Sequence, residues 1–143
     1  MPSAERTVTI RRPVDEVYRF IASGDNQRAW RPGVVSVALR SGVDGEPGAV
    51  YEQRVKGPFG RPVPADYEIT SVEPNKALRF RAIAGPVRPE GSYRFEESGG
   101  ATTVTFALTC EISGPARLMA PMVAKTMQSE VACLDNVKAI LER

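Results

Sequence analysis

The sequence predicts an α+β fold in which a strongly curved antiparallel sheet of about seven strands wraps a long C-terminal helix. Short segments that alternate apolar and polar residues follow one another from Val35 to Cys110, separated by turns rich in Gly and Pro. Beyond Pro121 the apolar residues recur instead at three- and four-residue steps. A shorter segment with helical spacing precedes the sheet. The expected order is β-α-α-β(6)-α, in a single domain over residues 1–143.

Thr7-Val8-Thr9-Ile10 alternates as a half-buried strand does. Pro13 suits a helix start, and Asp15 and Glu16 in the first turn favour the positive end of the helix dipole. Val14, Val17, Phe20 and Ile21 then define one apolar face, which Ser23-Gly24-Asp25 ends. A short helical turn, Asn26 to Trp30, follows before Pro32-Gly33. Val35, Val37 and Leu39 alternate as the next strand, and Gly42 to Gly48 supplies a turn. Tyr51, Gln53 and Val55 share a strand face; Tyr67, Ile69 and Ser71 continue the sheet after the Gly57–Pro64 connection. Leu78 to Ala82 and Tyr93 to Glu96 are the next strands. Val104, Phe106, Leu108 and Cys110 are the inward set of the last one. Pro121 separates a preliminary turn from the main helix, whose apolar face is Val123, Met127, Val131, Leu134, Val137 and Leu141.

Composition excludes several classes of function. The chain has no histidine, which removes a Ser-His-Asp triad, a Cys-His pair, an imidazole base and a His-built zinc site. Cys110 and Cys133 are isolated and read as buried reduced thiols, so neither a metal nor any other cofactor is expected. The 19 basic and 17 acidic residues are interspersed, with a net charge of +2 and only Arg11-Arg12 as a basic doublet. No nucleic-acid partner is expected from such a pattern. No apolar run approaches the length of a membrane span, so stable membrane insertion is not expected. MPSAERTVTI lacks the features of a signal peptide, which makes a cytoplasmic location the expectation. Monomer and homodimer both stay open.

One helix cannot fill the concave face of so wide a sheet, which twists and coils and leaves space at one end. The residues that face this space are amphipathic rings and adaptable apolar chains. Trp30, Tyr51, Tyr67 and Tyr93 carry polar tips, and Gln53 lies on the same face. Met119, Met122 and Met127 cluster at the start of the last helix. With Phe80, Phe106 and Val123 they form the expected wall of a ligand pocket, apolar with a few orienting polar groups.

The segment VTIRRPVDEVYRFIASGDNQRAWRPGVVSV, then YEITSVEPNKALRFR, GSYRFEESGGATTVTF and the closing LDNVKAILE resemble the START-like, or SRPBCC, superfamily over essentially the whole chain. The likeness is closest to its polyketide cyclase/dehydrase branch. The resemblance implies the helix-grip (START/Bet v 1-like) fold and a small hydrophobic partner, aromatic, polyketide- or lipid-like. It also implies an alternative, a cyclase or dehydratase in which a Tyr donates a proton, an Arg stabilises an enolate and a carboxylate acts as base.

For that alternative the candidate donors are Tyr51, Tyr67 and Tyr93, the cations Arg54, Arg81 and Arg94, and the bases Asp66, Glu68 and Glu111. Alternation turns Arg54, Arg94, Asp66 and Glu68 outward. Glu130, one helical step from Met127 and Leu134, is the charged residue expected at the pocket edge. Gly57 to Pro64 lacks the Lys-Ser/Thr ending of a phosphate loop and reads as a hairpin connection, with Phe59 a candidate lid. Scarce inward charge and the missing histidine favour a binder over an enzyme. A protein–protein module is a third reading, without a run of exposed apolar residues to support it.

Overall fold

The computed structural model describes residues 1–57, 60–85 and 87–143. Strand β1 (Ser3–Ile10) leads to helix α1 (Val14–Ala22), a 3₁₀ turn (Gly24–Asn26) and the single-turn helix α2 (Gln27–Trp30). The sheet continues with β2 (Val34–Ser41), β3 (Val50–Lys56), β4 (Pro62–Pro64), β5 (Tyr67–Glu73), β6 (Ala77–Ala82), β7 (Glu90–Ser98) and β8 (Ala101–Thr109). A 3₁₀ turn (Gly114–Met119) then precedes helices α3 (Ala120–Ala132) and α4 (Leu134–Leu141).

All strand pairs are antiparallel, in the order β1-β8-β7-β6-β5-β3-β2, with β4 on β3. The sheet is thus a meander whose last strand takes β1 as its neighbour. The short β4 is an element the alternation did not separate. It pairs with the far end of β3 while β5 pairs with the near end. Between them, Ala65 and Asp66 are held by Gln53: its backbone N–H donates to Asp66 Oδ1 at 3.1 Å, and its side-chain amide donates to the Ala65 carbonyl at 3.1 Å.

Register shifts interrupt the pairing twice in β2, between Val34 and Ser36 and between Leu39 and Ser41, and once in β5. In β2 the pairing skips Val35, so Val34 is buried and Val37 packs on the core, while Leu39 is exposed. In β5 the pairing skips Thr70; Val72 rather than Ser71 packs on the core. An extra residue in one strand reverses the faces that follow it.

Helix α1 buries Val17, Tyr18 and Ile21, and Tyr18 meets Phe95 edge to face at 5.3 Å. The C-terminal helix is not continuous. Its buried residues are Val123, Met127 and Val131 in α3 and Leu134 and Val137 in α4. At Cys133 the turn tightens, with its N–H donating to the Glu130 carbonyl at 3.1 Å. Asn136 Nδ2 donates to the Trp30 carbonyl at 2.9 Å and ties α4 to the end of α2. Arg6 grips Asp135 with two hydrogen bonds of 3.1 and 2.6 Å, fastening the helix to edge strand β1. No helix among the described residues is long and apolar enough to cross a membrane.

Candidate functional site: a cavity under the last helix

The sheet's concave face carries an aromatic ladder across five strands, Tyr51, Tyr67, Phe80, Tyr93 and Phe106. Register explains its geometry. Tyr51 lies opposite Tyr67, and Tyr93 opposite Phe106; these rings stack at 4.6 and 4.5 Å. Phe80 lies opposite Gly91, whose missing side chain gives the ring its place: a Cβ there would stand 2.2 Å from Phe80 Cζ. Phe80 thereby reaches its diagonal neighbours Tyr67 and Tyr93 at 5.9 and 5.8 Å.

Between this ladder and α3 lies a cavity of about 560 Å³. Of the residues expected to line it, Gln53, Tyr67, Phe80, Tyr93 and Phe106 do so from the sheet. Met119, Met122, Val123 and Met127 do so from the helical side. Leu118, Met119 and Met122 are 89%, 45% and 51% exposed, which places this end of the helix at the mouth.

Trp30 and Tyr51 are not in the lining. Trp30 is fully buried behind it, edge-on to Tyr93 and Phe106 at 6.4 and 6.1 Å, and its Nε1 has no partner among the described residues. Tyr51 stacks on the far side of Tyr67, and its hydroxyl donates to Asp44 Oδ1 at 2.5 Å and accepts from the Gly45 N–H at 2.9 Å. Asp44 also accepts from Ser23 Oγ and the Gly24 N–H, at 2.8 and 2.9 Å, which locks the Gly42–Gly48 turn to the end of α1. Both aromatic residues support the wall. The alternation that assigned Tyr51 to the inner face, and the amphipathic ring that put Trp30 in the expected wall, carry no information about depth.

The deep end of the cavity is polar. Arg31 Nε donates to Glu130 Oε2 at 2.9 Å, and its Nη1 donates to Gln27 Oε1 at 2.9 Å and Gln53 Oε1 at 3.3 Å. Glu130 stands roughly eight residues beyond Met122, about 12 Å along the helix from the mouth. The side chains of Arg31 and Glu130 are 16% and 25% exposed. Burial works against the Arg31 charge, but the adjoining Glu130 carboxylate outweighs it and holds the guanidinium above its ordinary pKa. Burial pushes the phenols of Tyr67 and Tyr93 far above the ordinary tyrosine value, so both remain neutral donors. Neither hydroxyl has a hydrogen-bond partner among the described residues.

Sequence reasoning placed Glu130 at the pocket edge and missed Arg31 and Gln27. Their spacing, one helical turn apart, was the available signal. Inward charge is therefore less scarce than alternation implied, because Arg31 leaves a helix end where no strand period applies. The other charged candidates, Arg54, Arg81, Arg94, Asp66, Glu68 and Glu111, are absent from the lining. Arg81 pairs with Glu68 at 2.9 Å on the outer face, and Asp66 with Arg40 at 3.6 Å. Phe59, the candidate lid, lies outside the described residues.

A curved sheet closed by a C-terminal helix over an internal cavity defines the helix-grip class of START and Bet v 1-like proteins. The chain belongs to the family described as polyketide cyclase / dehydrase and lipid transport, whose model matches residues 1–142. A START superfamily protein from Mycobacterium smegmatis superposes with a TM-score of 0.82 at 15% identity, over 99% of this chain and 98% of that one. A protein from Thermus thermophilus gives 0.77 at 23% identity, over 96% and 95%. The di-domain ARO/CYC StfQ from the steffimycin biosynthetic pathway gives 0.78 at 15% identity, over 98% of this chain and 50% of that one. At these identities the likeness concerns the fold. No curated protein matches the sequence.

Proposed function

We propose that the protein binds a small hydrophobic molecule, aromatic, polyketide- or lipid-like, in the cavity beneath α3. One observation carries the reading: a space of about 560 Å³ walled by aromatic, aliphatic and Met side chains, with its polar groups gathered at one end. The family, which includes lipid transport, is in keeping with it. A thermal-shift screen of aromatic and lipid-like compounds tests it directly. Saturation at 100 times the dissociation constant adds about 2.7 kcal/mol, and native mass spectrometry of the freshly purified protein detects a co-purified ligand. A midpoint that no apolar compound moves would sink the proposal.

A second reading, a cyclase or dehydratase, draws support from the same polar end. There the neutral phenols of Tyr67 and Tyr93 sit with a guanidinium and a carboxylate, the group types an enolisation needs. Tyr67→Phe and Tyr93→Phe separate the readings: retained binding with lost turnover favours catalysis, and an unchanged bound ligand favours a carrier.

A further inference from the structure

We propose that the rim of the cavity docks on an anionic lipid surface, with Leu118, Met119 and Met122 entering the apolar layer and a ring of cations meeting the head groups. Three segments form the rim: residues 56–57 and 60–64 at the β3–β4 connection, 83–85 and 87–89 between β6 and β7, and 112–129 leading into α3. Each contributes side chains to the cavity lining. The first two touch, since a Cβ on Gly85 would stand 2.5 Å from the Pro64 carbonyl oxygen.

The charge of these segments is one-sided. They carry Lys56, Arg61, Arg88, Arg117 and Lys125, and no Asp or Glu. The rest of the chain holds the other 14 basic and all 17 acidic residues, a net charge of −3. All five cations are exposed, and none belongs to an ion pair among the described residues. Of the acidic residues next to these segments, Asp66 and Glu130 are already paired with Arg40 and Arg31.

Apolar exposure falls in the same place. Residues 118–122, Leu-Met-Ala-Pro-Met, include no polar side chain, and Leu118 is the most exposed large hydrophobic residue among those described. An apolar tip ringed by cations matches a bilayer surface: anionic head groups meet Lys and Arg, and the hydrocarbon beneath takes Leu and Met. An acidic protein would meet the cations but would leave Leu118 against charge. The contact is peripheral, and no described helix crosses the bilayer. It needs no molecule in the cavity, so it stands apart from the binding reading.

The test is co-flotation of the full chain with vesicles of phosphatidylcholine alone or mixed with phosphatidylserine. Binding should require phosphatidylserine and fall steeply as salt shortens the Debye length from about 10 Å to about 3 Å. Arg117→Gln/Lys125→Gln should weaken it about tenfold or more. Arg79→Gln/Arg94→Gln removes the same charge from two exposed, unpaired residues on the outer face of the sheet and should leave it unchanged. Leu118→Asn should weaken it about tenfold at an unaltered thermal midpoint. Absence of binding to phosphatidylserine vesicles at low salt overturns the proposal and leaves the cations to an acidic protein. An equal loss from the outer-face pair overturns it too, because the attraction would then be diffuse. Full affinity in Leu118→Asn overturns the entry of the apolar tip. Ligand binding in the cavity, read by thermal shift without vesicles, is independent of each of these results.

Discussion

Arg31 Nε and Glu130 Oε2 meet at 2.9 Å across a separation of 99 residues, joining the end of α2 to the last turns of α3 at the deep end of the cavity. The pair is mostly buried, so removing one partner strands the other. Arg31→Met should cost about 1–3 kcal/mol, below the range for fully buried pairs because some water reaches both groups. The double variant Arg31→Met/Glu130→Leu should recover part of that loss. Urea denaturation of the two single variants and the double closes the cycle; a double-variant loss equal to the sum of the two single losses would show that the pair is uncoupled.

Gly91 is a test of how the ladder is built. A Cβ at this position would fall 2.2 Å from Phe80 Cζ and 2.9 Å from Leu108 Cδ2. Gly91→Ala should therefore drive the Phe80 ring toward the cavity and destabilise the fold by about 1–3 kcal/mol. Binding of a large apolar ligand should weaken with it. Unchanged stability in a denaturant titration would mean that the ring moves aside freely.

Tyr51 and Asp44 give a prediction in acid. Burial opposes the Asp44 charge, but hydrogen bonds from Tyr51, Gly24 and Ser23 outweigh it and hold the carboxyl below its ordinary value of 3.8. A carboxyl depressed in the folded state contributes stability above its unfolded pKa, and that contribution is lost as pH falls through the folded one. Tyr51→Phe should cost about 1–2 kcal/mol near neutrality. The difference between native protein and variant should shrink below 3.8, read from thermal midpoints across that range.

All four tyrosines are pushed above the ordinary value of 10.0, first by burial in each case. A raised folded pKa means the stabilisation is whole below 10.0 and drains away as pH rises above it. Phenolate absorbance should therefore appear together with the loss of tertiary structure, in one step. A tyrosine that titrates near 10.0 while near-ultraviolet circular dichroism remains native would contradict the burial described for it.

The inward positions Val104, Phe106 and Leu108 of β8, and Cys110 just beyond its end, were legible because a regular strand keeps its period and each of them is buried. The helical face from Val123 to Val137 was legible for the same reason, and so was the division between turn and helix near Pro121. Most of the cavity's apolar wall followed from these faces. The errors fell where the period breaks. Val35 and Thr70 are extra residues in their strands, so Val34 and Val72 took the core places that plain alternation assigned to Val35 and Ser71.

Apart from β4 and the break at Cys133, the order of elements followed from the amino-acid sequence, as did the apolar faces that meet around the cavity and the exclusion of imidazole chemistry, since each rests on local period or composition. Only the tertiary structure decided that Trp30 and Tyr51 stand behind the wall and that Arg31 turns inward to Glu130. Depth and charge pairing depend on what a distant segment brings to the same place, and no local pattern records that.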